Sequence, residues 1–432
     1  MKVAVAGTGY VGLVTGVCLA ERGNQVICVD INAEKIDLLN SGRSPIYEPG
    51  LEDLMNQVKD SITYTTDYRS AYATADVIFI GVETPEKLDG SANLKSIYIV
   101  AEQIARSLEQ DCIVVIKSTV PVGTNDLVEE VMKGLVRPGI RVELASNPEF
   151  LAQGTAVANT LFASRIVIGA ESEWAADILQ QVYRDFDAPK LVMKRRSAEL
   201  VKYASNDFLA LKLSYINEIA NFCETVDADI DDVVWGMGFD ERIGNKFLQA
   251  GIGYGGSCFP KDTKALSWLA SHNNSEIKTI KAAIEVNEGQ KFRLIFKARH
   301  FYKSFEGLTV AILGLTFKPG TDDLREAPSL VSIPVLLEEG ARVRAWDPVG
   351  VENYKKKYPT EIDYCDSIEQ TLEDADICFI FTEWDDVKSL DLSLFAKKMK
   401  NPVVVDGRNC YKPAAARAAG IKYDSVGRPR IE

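Results

Sequence analysis

A chain of 432 residues with a formal net charge of −13 excludes several classes of protein before any motif is considered. The length predicts two or three domains, and the acidic balance argues against nucleic acid as a partner. No apolar run reaches the roughly 18 residues of a membrane span, so no membrane partner is expected. Eight scattered cysteines and two histidines predict a reducing, cytoplasmic setting without a metal site.

The N-terminus carries a dinucleotide-binding pattern. An apolar run from Lys2 leads into the G-x-G-x-x-G of Gly7 to Gly12 and then a helical pattern, and a second apolar run ends on Asp30. A glycine motif with a strand before it, a helix after it and an acid about 20 residues later is typical of such sites. We expect Asp30 to accept hydrogen bonds from a ribose and to repel a 2′-phosphate, which favours NAD over NADP. The alternative is a β-α turn without a ligand.

Three polar side chains lie just past the ends of later predicted strands: Thr84, Thr119 and Glu149. Ligands of open α/β sheets bind outside the carboxyl ends of the strands, so these side chains are candidates for the reaction site. For each one alone, a helix cap or a turn is an equally good explanation.

A helical apolar pattern runs from Ser197 to about Val226 and predicts one helix of roughly 45 Å. Lys202 and Asn206 are four residues apart and share one face. Both types suit the binding of an oxyanion, although a solvated lysine beside a polar neighbour is the plainer explanation. The length of the helix and its spread of apolar residues predict that two copies pack together in a homodimer.

The stretch from Gly253 to Asp262 is the strongest candidate for chemistry. Its glycines allow positive φ, and Cys258 comes directly before a helical pattern. A helix N-terminus and the neighbouring Lys261 would favour a thiolate. The alternative is a buried structural cysteine.

The last third of the chain repeats the strand–turn–helix–strand order of the N-terminus, with Gly314 alone where three glycines stood. We interpret it as a second α/β half that binds a nucleotide differently. Lys318, Arg325 and Arg408 are cations at predicted strand ends and suit phosphates, although each alone could be a surface charge.

These motifs together resemble the nucleotide-sugar dehydrogenases of the UDP-glucose/GDP-mannose dehydrogenase family over nearly the whole chain. The resemblance implies an α/β fold of two Rossmann-like doubly wound domains joined by a long central helix. It places an NAD-binding domain at residues 1–196, a central helical dimerisation region with the cysteine loop at 197–304 and a UDP-sugar-binding domain at 305–432.

The implied reaction is the four-electron oxidation of UDP-glucose to UDP-glucuronate with two NAD, through a thiohemiacetal and a thioester on Cys258. Lys202 and Asn206 match the groups that stabilise the oxyanion. Asp262 and Thr119 match those that order the active-site water, and Glu149 matches the proposed general base.

The resemblance also assigns ligand contacts. Those to NAD match Gly7, Gly9, Tyr10, Val11, Gly12, Asp30, Lys35, Thr84, Thr119 and Arg325. Those to the UDP-sugar match Phe150, Leu151, Lys202, Asn206, Phe247, Tyr254, Gly255, Phe317, Lys318 and Arg408, with Arg242 donated by the neighbouring subunit. No metal is implied.

Two positions depart from the family pattern: Gln153 stands where an acid is common, and Glu83 where a small residue is usual. Three alternatives remain. One is a sibling enzyme acting on GDP-mannose or a UDP-N-acetylhexosamine. Another is a two-electron dehydrogenase of the 6-phosphogluconate type, which Cys258 argues against. The third is a non-enzymatic NAD- or nucleotide-sugar-binding regulator.

Overall fold

The computed structural model describes residues 1–432, which form two compact units. The first unit comprises residues 1–205 with 271–273, and the second comprises residues 206–270 with 274–432. Each unit contains its own β-sheet.

The sheet of the first unit has eight strands: β1 (Lys2–Ala6), β2 (Gln25–Val29), β3 (Ile62–Thr65), β4 (Val77–Ile80), β5 (Cys112–Ile116), β6 (Val142–Ser146), β7 (Ile166–Gly169) and β8 (Lys190–Met193). Their order is β3-β2-β1-β4-β5-β6-β7-β8. The first six strands are parallel and have the order of a dinucleotide-binding sheet. β7 pairs antiparallel with β6 through a single residue pair.

Helices cover both faces of this sheet: α1 (Tyr10–Glu21), α2 (Ala33–Asn40), α3 (Leu51–Gln57), α4 (Tyr68–Ala73), α5 (Lys95–Ser107), α6 (Thr124–Lys133), α7 (Ala156–Leu161) and α8 (Glu173–Val182). The side chains of β1 show the reason, because they alternate between two hydrophobic cores on opposite faces of the sheet. Val3 and Val5 belong to one hydrophobic cluster, and Ala4 and Ala6 belong to another. A strand buried on both faces requires helices on both sides.

A single helix, α9, runs from Arg195 to Val226. Its 32 residues correspond to roughly 48 Å at 1.5 Å per residue. It begins two residues before the predicted start at Ser197. The predicted α/β class with two doubly wound sheets and a long central helix is confirmed.

The second unit repeats the same strand order with six parallel strands: β9 (Thr309–Leu313), β10 (Arg342–Trp346), β11 (Ile362–Tyr364), β12 (Ile377–Ile380), β13 (Val403–Asp406) and β14 (Lys422–Ser425). The order is β11-β10-β9-β12-β13-β14. As in β1, residues of β9 alternate between two hydrophobic clusters.

The helices of the second unit are α10 (Ile230–Gly238), α11 (Phe259–His272), α12 (Lys278–Gln290), α13 (Arg293–Ala298), α14 (Ser329–Glu338), α15 (Val351–Lys355), α16 (Ile368–Leu372), α17 (Asp385–Lys388), α18 (Ser393–Lys398) and α19 (Pro413–Ala418). None of the helices in the chain combines the length and the apolar character that a membrane span requires.

One predicted helix is divided. The apolar pattern predicts a continuous helix from Ile280 to about Tyr302, but α12 ends at Gln290 and α13 begins at Arg293. The Lys291 carbonyl accepts a hydrogen bond from the Ser332 hydroxyl (3.1 Å). A distant side chain thus binds a carbonyl at the break, which periodicity along the chain cannot reveal.

Candidate active site

The turn between β1 and α1 requires glycine. Gly7 has φ of +96°, and a Cβ added to Gly12 would lie 2.0 Å from the Gly7 carbonyl oxygen. Gly9, which precedes α1, provides no side-chain cap. The first N–H groups of the helix therefore remain available, which is the arrangement that receives a pyrophosphate.

Asp30 follows β2 beside this turn. Its Oδ2 accepts from the Thr8 backbone N–H (2.9 Å) and hydroxyl (2.7 Å), and its Oδ1 accepts from the Asn32 N–H (3.0 Å). Burial acts to raise the pKa of Asp30, but the hydrogen bonds from Thr8 and Asn32 and the charge of Lys35 lower it overall. The carboxylate is therefore ionised, as the discrimination against a 2′-phosphate requires.

A cavity of about 390 Å³ opens at this end of the sheet. The predicted NAD-binding residues on its wall are Gly7, Gly9, Asp30 and Lys35, and the atypical Glu83 also lines it. The glycine cradle and the ionised acid fit a bound NAD. Tyr10 instead donates a hydrogen bond to the Tyr47 carbonyl. Thr84 donates to the Thr119 carbonyl (2.9 Å), so these two predicted residues lie together.

Glu149 and Lys202 form a buried ion pair. The Lys202 Nζ lies 2.7 Å from Glu149 Oε1, and the side chains are 3% and 4% exposed. Glu149 Oε2 accepts from the Leu151 N–H (2.7 Å). The Phe150 ring has the Lys202 Nζ 5.6 Å from its centroid and the Arg165 guanidinium 4.0 Å away. The structure thus brings four predicted site residues of the first unit together.

Lys117 is a further buried cation that the sequence analysis did not assign to the site. Its Nζ donates to Asn147 Oδ1 (2.9 Å), which also accepts from the Tyr183 hydroxyl (2.6 Å). Burial lowers the pKa of Lys117 to about 8, with Glu149 acting to raise it and Lys202 to lower it. Its position directly after β5 and two residues before Thr119 could have indicated that it lies near the site, because ligands bind at the carboxyl ends of such strands.

In the second unit, Cys258 stands immediately before the first residue of α11, as the sequence predicts. Its carbonyl accepts from the Asp262 N–H (2.8 Å), which closes the first turn of the helix. The Ser257 hydroxyl lies 3.7 Å from the Cys258 sulfur. Cys258 is only partly buried, so a substrate can reach this residue at the start of the helix.

Asp262 is held from two sides. Asn206 Nδ2 donates to its Oδ2 (2.7 Å), and Lys261 Nζ donates to its Oδ1 (2.6 Å). The carboxylate is almost fully buried. The structure therefore joins two predicted catalytic residues, Asn206 and Asp262, although 56 positions separate them.

Three buried amides that the sequence analysis missed fix the backbone ahead of Cys258. Asn217 accepts from the Gly251 N–H (2.8 Å), and Gln290 donates to the Gly251 carbonyl (2.6 Å). Asn287 accepts from the Tyr254 N–H (2.8 Å) and donates to its carbonyl (3.0 Å). Uncharged amides within helices gave no sequence signal.

The glycines of the loop are required by close approaches. Gly256 has φ of +85°, and a Cβ there would lie 2.7 Å from the Phe317 ring. At Gly255 a Cβ would lie 2.5 Å from the Glu326 carbonyl oxygen. Phe317 and Gly255, both predicted substrate contacts, thus lie beside each other.

The predicted cations of the second unit have protein partners. Arg408 donates to the carbonyls of Phe381 (2.9 Å), Gly253 (3.2 Å) and Phe317 (2.9 Å), so it ties the cysteine loop to the second sheet. The Arg325 guanidinium donates to both carboxylate oxygens of Asp323, at distances between 2.7 and 3.1 Å.

The remaining predicted contacts are spread over the second unit. The Lys318 Nζ lies 5.5 Å from the centroid of the Phe317 ring. Arg242 is exposed and pairs with Asp240 (2.6 Å). Phe247 lines a separate cavity of about 920 Å³.

Asp347 is the counterpart of Asp30 in the second sheet, and its hydrogen-bonding capacity is filled by the protein. One oxygen accepts from the Leu315 N–H (2.7 Å) and the Trp384 ring N–H (3.1 Å), and the other accepts from the N–H groups of Val349 (3.0 Å) and Gly350 (2.7 Å). This half of the chain therefore does not offer the acid of a second NAD site. No group of three or more His, Cys, Asp or Glu side chains could hold a metal ion.

The chain combines a dinucleotide-binding sheet with a second sheet of the same strand order and a cysteine at the start of a helix. These features define a nucleotide-dependent dehydrogenase. Three models of the UDP-glucose/GDP-mannose dehydrogenase family match the chain: the NAD binding domain at residues 1–187, the central domain at 196–289 and the UDP binding domain at 311–413.

UDP-glucose 6-dehydrogenase YwqF of Bacillus subtilis (strain 168) is 48% identical over 100% of this chain and 98% of its own length. UDP-glucose 6-dehydrogenase of Pseudomonas aeruginosa is 45% identical with the same coverage. A solved UDP-glucose dehydrogenase from Pyrobaculum islandicum has a TM-score of 0.92 at 38% identity, covering 99% of this chain and 98% of that one. The chain belongs to the UDP-glucose/GDP-mannose dehydrogenase family, and its cofactor is NAD.

Proposed function

We propose that this protein oxidises UDP-glucose to UDP-glucuronate and reduces two NAD in the process. The observation that carries the proposal is the partly exposed Cys258 at the start of α11, one turn before a buried Asp262. A primary alcohol can lose a hydride directly to give an aldehyde, whereas the aldehyde can lose a second hydride only after a nucleophile has added to its carbonyl carbon, and Cys258 provides such a nucleophile. The relatives that carry the name of this activity support the same substrate.

The proposed mechanism assigns covalent work to Cys258. The alcohol loses a hydride and a proton to give the aldehyde, and the Cys258 thiolate adds to the carbonyl carbon to form the oxyanion of a thiohemiacetal. Loss of a second hydride leaves a thioester, which water cleaves to the acid and the free thiol. NAD, when bound, accepts each hydride.

The other residues act on charge and protons. Lys202 and Asn206, one helical turn apart on α9, would stabilise the oxyanion of the tetrahedral species. Asp262 with Thr119 would order the reacting water, and Glu149 would take its proton as the thioester is hydrolysed. The pairing of Glu149 with Lys202 at 2.7 Å fixes the position of this carboxylate in a buried place.

The residues that would contact NAD are Gly7, Gly9, Tyr10, Val11, Gly12, Asp30, Lys35, Thr84, Thr119 and Arg325. The UDP-sugar would contact Phe150, Leu151, Phe247, Tyr254, Gly255, Phe317 and Lys318. Arg408 would contact the UDP-sugar and would also position the cysteine loop and Phe317, because it binds the carbonyls of Gly253 and Phe317.

We further propose that the protein is a homodimer formed through α9. Phe208, Tyr215 and Phe222 are exposed large side chains at intervals of seven residues, so they form one stripe on the helix. A second copy would cover this stripe and could place the exposed Arg242 in its partner's site. Eight unpaired cysteines support a reducing, cytoplasmic location.

Light scattering tests the assembly. We expect a dimer for the natural sequence and a monomer for Tyr215→Glu with Phe222→Glu. The control is Leu127→Glu, which changes an exposed leucine of α6 and should leave the mass unchanged. A natural protein that is monomeric and fully active would refute the proposal.

A stoichiometric assay tests the reaction. With NAD in excess, each UDP-glucose should yield two NADH and one uronic acid. The same assay with GDP-mannose and UDP-N-acetylhexosamines should give much lower kcat/KM. One NADH per sugar would indicate a two-electron dehydrogenase, and a higher kcat/KM for another nucleotide sugar would assign the protein to a sibling activity.

A further inference from the structure

Asp207 is a buried carboxylate without a hydrogen-bond partner. It follows Asn206 on α9, its side chain is almost completely enclosed, and neither of its oxygens meets a donor. Buried polar side chains are nearly always hydrogen-bonded, so an exception calls for an explanation. The neighbouring Asp262, by contrast, has Asn206 on one oxygen and Lys261 on the other.

The charged and titratable groups that act on Asp207 lie on α11 and on the loop that precedes this helix. Burial and, to a smaller extent, repulsion by Asp262 raise the pKa of Asp207 to about 8, although Lys261 acts in the opposite direction. The enclosed hydroxyl of Tyr254 also lies in its field. A buried carboxylate that lacks donors is more stable with a proton than with a charge.

We propose that Asp207 is a positioning residue that carries a proton at neutral pH and so places no second negative charge beside Asp262 and Asn206. Were both acids ionised, their repulsion would compete with the two bonds that hold Asp262. The neutral acid keeps Asn206 and Lys261 committed to Asp262. This inference rests on the role proposed for Asp262 and adds to it a means of keeping its carboxylate bound to Asn206 and Lys261.

The pH dependence of catalysis provides the first test. Asp207→Asn replaces the neutral acid by an amide of the same shape. We expect its kcat at pH 7 to stay within about threefold of the natural enzyme, with KM values for both substrates little changed. In the natural enzyme kcat should fall about tenfold per pH unit above pH 8, as Asp207 ionises, and the variant should lack this fall.

The matched control is Glu199→Gln. Glu199 is another buried acid of α9, but it accepts hydrogen bonds from Gly123 (2.6 Å) and Asn125 (2.9 Å). Its variant should keep the alkaline fall of the natural enzyme. Identical pH profiles for Asp207→Asn and the natural enzyme would overturn the proposal, and so would a variant that fails to fold, because an amide should fit where a neutral acid fits.

Infrared spectroscopy provides a test without NAD or sugar. The natural protein at pH 7 should have the C=O stretching band of a protonated carboxyl group, which disappears as the pH is raised through about 8. The band should be missing in Asp207→Asn. If the natural protein lacked this band, the proposal would be refuted whatever the substrate is. If the UDP-glucose assay failed, the proposed function would be refuted but the infrared band would be unaffected.

Discussion

Breaking the buried ion pair between Glu149 and Lys202 tests the electrostatics of the first unit. Removing one partner of such a pair leaves an uncompensated charge, which costs about 3–5 kcal/mol of the free energy of unfolding. The 2.7 Å separation and the burial of both side chains place this pair within that range. We therefore expect Glu149→Gln and Lys202→Met each to be strongly destabilising.

The two losses should differ because Lys117 lies in the same field. Without Lys202, Lys117 still provides a positive charge near Glu149, and the loss should be near the lower limit of about 3 kcal/mol. Without Glu149, two buried lysines repel each other without an anion, and the loss should approach about 5 kcal/mol.

The loss in Glu149→Gln should also depend on pH. The pKa of Lys117 in the folded protein, about 8, lies below the ordinary value of 10.5. The unfolded chain therefore binds more protons between these values, and stability rises with pH in that window. Removing Glu149 lowers the folded pKa further, so the rise should begin at a lower pH in the variant.

Urea unfolding measures these losses, with calorimetry to count the transitions of the two units. The control is Lys133→Met, because the Lys133–Glu130 pair has a similar distance of 2.8 Å but side chains that are 60% and 72% exposed. It should cause no measurable change. Equal losses in the two buried variants, or losses as small as the control's, would refute the reasoning.

Three further predictions concern single residues. Cys258→Ala should still bind NAD and UDP-glucose in calorimetric titrations but lose several orders of magnitude in turnover to the acid; uronic acid formed at the natural rate would make the thiol structural. Because of Asp30, kcat/KM should favour NAD over NADP by at least about tenfold, or 1.4 kcal/mol, and Asp30→Ser should narrow that ratio; equal values for the natural enzyme would contradict the role of the acid. The pKa of Asp207 is about 8 in the folded protein and ordinarily 3.8. Between these values the folded state keeps a proton that the unfolded chain releases, so the free energy of unfolding decreases as the pH rises from about 4 to 8. Asp207→Asn should therefore be more stable than the natural protein at pH 7 by up to roughly 4 kcal/mol. This difference should disappear near pH 4, and urea unfolding at the two pH values measures it.

The sequence by itself determined the elements whose signals are local. The glycine turn after β1, the acid after β2, the long helix and the helix start after Cys258 each depend on residues within about one or two turns of each other. Periodicity and glycine placement record such constraints directly. The second sheet was predicted in the same way, from a repeated strand–turn–helix order. The residues of the proposed site then followed from the family resemblance of these motifs.

Only the tertiary structure decided which distant side chains meet. Asn206 reaches Asp262, Glu149 reaches Lys202, and the amides of Asn217, Gln290 and Asn287 fix the cysteine loop. Asp207 is the clearest case, because an aspartate in a helical pattern is normally a solvated residue. The charges that act on it, those of Asp262 and Lys261, lie on α11 and are distant from it in sequence. The energy of a buried carboxylate depends on the donors and charges that tertiary packing places around it.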